Sequence, residues 1–218
     1  MRSRTQHASC TAGFTLAEVL IVATILALMV GWLSMIGLSG DRAYRTGTLA
    51  AQLEAQASIA MEKIVAELRT AGLETLEPDP VEGIGADLIE YAHATGVTDG
   101  EVDWTPLRRL GFELEAGEVE DGLDNNGNGL ADEGVVVLTE DLGEPTERRR
   151  VLVHWVSPLL EGEEPNGEDD NGNGLIDERG FVVERTGETL VVRLTLQRAN
   201  PERRLMSRTA RTSTRLRN

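Results

Sequence analysis

The chain has 218 residues, a formal net charge of −16 and one cysteine, Cys10. That acidity excludes nucleic-acid binding through bulk electrostatics, which needs basic surface, and a single cysteine excludes an internal disulfide. The length leaves room for one modest domain plus an anchor.

Residues 1–13 form a short basic segment (Arg2, Arg4) that ends on Gly13. From Phe14 to Leu38 the only formal charge in 25 residues is Glu18. As a helix at ~1.5 Å per residue this stretch spans ~37 Å, enough to cross a hydrocarbon core about 30 Å thick. A secretory signal carries its cleavage site after the apolar run. Here the small residue precedes it, so a cut after Gly13 releases a hydrophilic leader, Cys10 included, and keeps the membrane segment. An acid inside an apolar span costs a few kcal/mol unless paired. Glu18 lies four residues after Phe14, ~6 Å up the same helix face. An amine created at Phe14 of one chain is thus expected to neutralise Glu18 of a neighbour and set the stagger between their helices.

The helix is expected to continue over 41–72. Leu49, Leu53, Ala57, Ala60, Ile64, Leu68 and Ala71 recur at spacings of three and four, with Glu54, Glu62, Lys63, Glu67 and Arg69 off that stripe. Gly31, Gly37, Gly40 and Gly47 either loosen the junction between the two halves or permit close helix packing. Gly72 reads as the helix stop. Residues 73–104 are turn-rich and acidic, a loop region with one or two short elements, around 86–93. Then come β-branched runs at 110–115, 134–138, 150–156, 181–185 and 189–196. Residues 207–217 read as a final edge strand whose arginines discourage further pairing. Successive short strands without intervening helices predict an antiparallel sheet with one face on the apolar stripe. The expected fold is α+β: leader 1–13, transmembrane helix 14–40, its soluble amphipathic half 41–72, and a β-rich globular domain 73–218.

Two stretches repeat at an offset of 45 residues, 121–133 and 166–178. Both read Asp-x-Asn-x-Asn-Gly-x-x-Asp-Glu. Oxygen-bearing side chains at loop positions one, three and five, with Gly at six and a backbone carbonyl at seven, begin an EF-hand-type calcium loop. The candidate ligands are Asp124, Asn126, Asn128, the carbonyl of Leu130 and Asp132, and in the second copy Asp169, Asn171, Asn173, the carbonyl of Leu175 and Asp177. Position twelve is Val135 or Gly180, so the usual bidentate Glu is missing. Either Glu133 and Glu178, or the upstream Asp121 and Glu168, complete the shells. The loops are similar to those of thrombospondin type 3 and dockerin-like repeats. Two neutral Asn ligands per loop predict weak binding, sufficient for an extracellular module. The alternative is a pair of polar hairpin turns, since Asn-Gly is itself a turn signal. Turns require neither the acid at position nine nor its repetition in register.

Other polar residues point to no reaction. His93 and His154 are far apart and accompany no nucleophile motif, so no enzyme is expected. Arg148–Arg150 and the C-terminal arginines read as a solvated face or as partners of nearby acids.

The run Gly13-Phe14-Thr15-Leu16-Ala17-Glu18-Val19-Leu20 resembles the processing site of type IV prepilins and type II secretion pseudopilins. The resemblance implies cleavage between Gly13 and Phe14 by a prepilin peptidase and N-methylation of Phe14. It also implies assembly with other pilins or pseudopilins through the N-terminal helix, with Glu18 as the acid pilins keep near the new N-terminus. Residues 67–72 are similar to the Leu-Arg-x-Ala-Gly ending of PilW-like minor pilins, and the J-type pseudopilin is the other near resemblance. Many pilins staple their C-terminal region with a disulfide, which this chain cannot form. The implied protein is a structural subunit. It waits as a single-pass inner-membrane protein, leader inside as its positive charges require, with its globular domain periplasmic or extracellular. It then enters or primes a type IV pilus or a type II secretion pseudopilus. A membrane-anchored, calcium-dependent adhesion module is the alternative.

Overall fold

The computed structural model describes residues 15–81, 84–200 and 202–216. One helix, α1, runs Leu16–Leu68 over 53 residues, uninterrupted at Gly31, Gly37, Gly40 and Gly47. The chain divides into two compact units, Met1–Thr46 and Gly47–Asn218. In the first, Val19, Ile25, Leu28, Met29, Trp32 and Ile36 are each more than half exposed. This helix is long and apolar enough to cross a membrane.

In the second unit the expected stripe is the buried face. Leu53, Ala57, Ala60, Ile64, Leu68 and Ala71 are buried, joined by Met61, and Leu49 is half-buried. The alanines let the helix approach the sheet closely, while Leu53, Ile64 and Leu68 each contribute about 1.5–3 kcal/mol of burial. The helix ends at Leu68, four residues before the expected stop. Gly72 is not a left-handed cap: its φ is −77 and it precedes the short 3-10 turn η1, Leu73–Thr75. Its N–H donates to the Ala92 carbonyl at 2.9 Å. Glycine is needed there because a Cβ would lie 2.3 Å from the Trp104 ring.

Among the described residues nine strands follow: β1 Leu88–Tyr91, β2 Ala94–Thr98, β3 Glu101–Trp104, β4 Arg108–Leu114, β5 Gly134–Glu140, β6 Arg148–Val156, β7 Phe181–Thr186, β8 Thr189–Ala199 and β9 Leu205–Arg215. Seven form one antiparallel sheet in the order β1-β4-β5-β6-β8-β7, with β9 also on β8. β9 pairs along the whole of β8, Thr189↔Arg215 to Ala199↔Leu205. β7 and β6 must therefore share the other edge of β8: β7 covers Thr189 to Leu194, and β6 meets it at Val156↔Leu196. Alternation along β8 divides the faces. Leu190, Val192, Leu194 and Leu196 join the helix residues in the main core. On the opposite face Arg193 and Glu184 form a buried ion pair at 2.8 Å. β6 carries a bulge opposite β5, between Val153 and Val156, with Trp155 at φ 61 and Arg198 stacked on its ring at 4.1 Å.

The β2–β3 hairpin was not anticipated. β2 is exposed throughout, so it shows no apolar alternation. Its turn is carried by Asp99 and Gly100, both at positive φ, the Asp-Gly pairing that a two-residue hairpin turn favours.

Candidate functional site

The start of α1 is closed by a reciprocal cap. Glu18 accepts from the Thr15 N–H and the Thr15 hydroxyl, both at 2.9 Å, and the Glu18 N–H donates to Thr15 Oγ1 at 3.3 Å. This is a capping box, legible from the Thr-x-x-Glu spacing. Glu18 thereby satisfies orphan helix donors and favours the positive end of the helix dipole. Gly13 and Phe14 lie outside the described residues.

The end of α1 is pinned to the sheet by a polar cluster. Glu67 accepts from Tyr91 Oη at 3.3 Å and pairs with Arg108, which also reaches Glu140 at 3.0 Å. His93 Nε2 lies 3.4 Å from Glu67. Burial holds the His93 pKa below the ordinary value, against the pull of Glu67. Burial likewise pushes Tyr91 up. The groups are mutually satisfied around a helix end, a structural arrangement. His154 pairs with Glu115 at 2.9 Å, well away from His93 in sequence, and the two histidines do not form a common site.

The two acidic repeats are conformational copies, and the copy extends beyond 121–133 and 166–178. It begins at Glu115 and Leu160, whose N–H groups donate to the carbonyls of Glu133 and Glu178, each at 3.0 Å. Gly117 and Gly162 both take positive φ, 96 and 93, and the later turns repeat at Gly127/Gly172, Gly129/Gly174 and Asp132/Asp177. The pairs Gly117-Glu118 and Gly162-Glu163 obey the same offset of 45, a sequence signal that lies just upstream of 121–133 and 166–178.

Each side chain of the repeat has a defined place. Asp124 accepts from the N–H groups of Gly127 at 2.7 Å and Gly129 at 2.9 Å; Asp169 accepts from Asn173 at 3.0 Å and Gly174 at 2.9 Å. Asn126 and Asn128 donate through Nδ2 to Glu133 Oε1 at 2.7 and 2.5 Å. Asn171 and Asn173 donate likewise to Glu178 Oε1. At position nine, Asp132 accepts from the backbone of Asp121 at 3.0 Å and Gly122 at 2.8 Å. Asp177 accepts from Asn166 at 3.1 Å and Gly167 at 2.8 Å. These two acids tie the beginning of each loop to its end. Leu130 and Leu175, at position seven, are buried. Glu118 accepts three backbone N–H groups, from Asn125 at 3.1 Å, Asn126 at 2.8 Å and Asp132 at 3.2 Å; Glu163 accepts from Asn171 at 3.0 Å.

Glu118, Glu133, Glu163 and Glu178 are all buried. None of the ion pairs among the described residues involves them. An uncompensated buried carboxylate costs several kcal/mol. Among the described residues no three His, Cys, Asp or Glu side chains gather as a metal group. Each repeat brings amides and acids together instead. The two loops also touch, Arg179 donating to Glu120 at 2.7 Å.

The prokaryotic N-terminal methylation motif matches residues 9–34. No curated protein and no solved structure matches the chain. The matched stretch is a prepilin-type N-terminus, of the kind processed by prepilin peptidase in type IV pilins and pseudopilins, and it includes Gly13, Phe14 and Glu18. The long helix on an antiparallel sheet is a pilin-like α+β architecture.

Proposed function

We propose that the protein is a minor pilin or pseudopilin, a non-enzymatic subunit of a type IV pilus or type II secretion pseudopilus. The observation that carries this reading is the prepilin-type motif at 9–34 on a helix whose first half exposes its apolar residues. So much exposed apolar surface needs lipid before assembly and neighbouring helices after it. Prepilin peptidase cuts between Gly13 and Phe14, and Phe14 is methylated. On docking, the amine of an incoming subunit takes over Glu18 from the Thr15 hydroxyl, exchanging a local cap for an intersubunit pair. The globular domain faces the periplasm or the exterior.

Mass analysis of the protein purified from a peptidase-positive host tests the processing step. The expected product lacks residues 1–13 and begins with methylated Phe14; a chain that keeps Met1 overturns the reading. Glu18→Ala is expected to be cut normally but to enter filaments at least tenfold less. A second reading, a membrane-anchored adhesion module, draws on the exposure of Leu123 and Ile176 within the acidic loops. In that case removal of calcium abolishes partner binding and leaves assembly intact.

A further inference from the structure

We infer that each acidic loop holds one hard divalent cation of calcium size, and that Glu133 and Glu178 close the two shells. The observation that points to a missing cation is the same orphan in both copies. Glu133 is 0% exposed, and its Oε2 has no hydrogen-bond partner; Glu178 is 7% exposed, and its Oε2 has none either. In both, the other oxygen already faces the amides at positions three and five. The carboxyl groups are thus aimed at the ligand positions, with an acceptor left over. The orphan recurs at the equivalent atom of both copies, whereas Glu163 Oε2 is orphaned in the second copy alone.

The upstream alternative does not fit. Asp121 Oδ1 is engaged locally, accepting from Leu123 N–H at 2.9 Å and Asn125 Nδ2 at 3.0 Å. Glu168 is exposed. Asp132 and Asp177, at position nine, are turned to the start of each loop, where both oxygens accept the backbone amides of residues 121–122 and 166–167; the oxygens of Asp124 and Asp169 accept instead from amides beside the ligand positions, at Gly127 and Gly129 and at Asn173 and Gly174. The donors left are Asp124, Asn126, Asn128, the Leu130 carbonyl and Glu133, and in the second loop Asp169, Asn171, Asn173, the Leu175 carbonyl and Glu178. Turned over, the Asn amides offer oxygen beside Glu133 and Glu178 in place of nitrogen, giving up the bonds that Asn126 and Asn128 accept from the N–H groups of Asn128 and Leu130 and that Asn173 accepts from Leu175. An all-oxygen set with two carboxylates selects a hard cation over zinc or copper. Irregular loop donors suit calcium better than magnesium, which demands near-ideal octahedral geometry and keeps its waters.

The test is equilibrium dialysis of the full-length protein in detergent against radioactive calcium, at concentrations up to several millimolar and with excess magnesium present. The wild type is expected to take up two equivalents. Glu133→Gln and Glu178→Gln each lose one, the double variant loses both, and Asp121→Asn with Glu168→Gln keeps two. Uptake of no calcium by the wild type, a measurement that depends on no variant folding, overturns the inference. So does retention of both equivalents in the two Gln variants. Filament incorporation does not depend on either outcome, so failure here leaves the assembly reading standing.

Discussion

The two acidic loops share one conformation and differ in what they interrupt. The first, 115–133, closes a hairpin between β4 and β5. Those strands are held in register from Arg109↔Thr139 to Leu114↔Gly134, whatever the loop does. The second, 157–180, interrupts what would otherwise be one strand along the edge of β8. Val156 pairs with Leu196 and Phe181 with Leu194. Thr195 between them holds both feet of the loop, accepting from the Ser157 N–H at 2.9 Å and donating to the Gly180 carbonyl at 2.7 Å. The second loop also lays Leu160 and Leu175 on Val182, a small core separate from the main one. The same polar unit is therefore peripheral in one setting and continuous with the sheet in the other. Order in the second loop is coupled to the joining of β6 and β7, whereas order in the first is local.

Three experiments press on that difference. The largest effect is expected from Gly180→Ala. A Cβ there would lie 2.0 Å from the backbone oxygen of Ser157, so the feet must part, at a cost of about 3 kcal/mol or more in denaturant unfolding. An unchanged midpoint would mean that the two feet need not meet.

Next come Glu118→Gln and Glu163→Gln, which separate the loops by their internal support. Glu118 accepts three backbone amides, one of them on Oε2, and an amide nitrogen in its place opposes the Asp132 N–H. The expected loss is about 1–3 kcal/mol. Glu163 Oε2 has no partner, so the same exchange there should cost less, under about 1 kcal/mol. Equal losses would erase this distinction between the copies.

The smallest effect is expected from chelation of divalent ions, read by hydrogen exchange. Amides of β7 and Thr195 should exchange on the order of tenfold faster, while those pairing β4 with β5 keep their protection. Equal changes in both regions, or none, would break the proposed contrast.

Much of this was legible in the chain itself. The apolar stripe from Leu53 to Ala71 was visible because a helix repeats one face every three or four residues. β4 to β8 were visible as short apolar runs between turn residues, and β9 as a polar edge strand carrying arginines. The repeat was visible, but its edges were not: Glu118 and Glu163 are single residues whose importance comes from the amides they reach across the loop. The β2–β3 hairpin escaped because neither of its strands is buried, leaving only Asp99-Gly100 as a signal. The Trp155 bulge escaped because its cause is a register mismatch between β5 and β6, a property of two strands together.

By itself, then, the sequence determined the local units: an apolar helix with an acid at its start, a set of strands, and two copies of one polar loop. These follow from periodicity and spacing, which neighbouring residues express without help from the rest of the chain. Only the tertiary structure decided that one loop caps a hairpin and the other splits a strand, and which carboxylates end up buried without a counter-charge. Pairing partners and burial arise between segments far apart in sequence, so no single stretch could encode them.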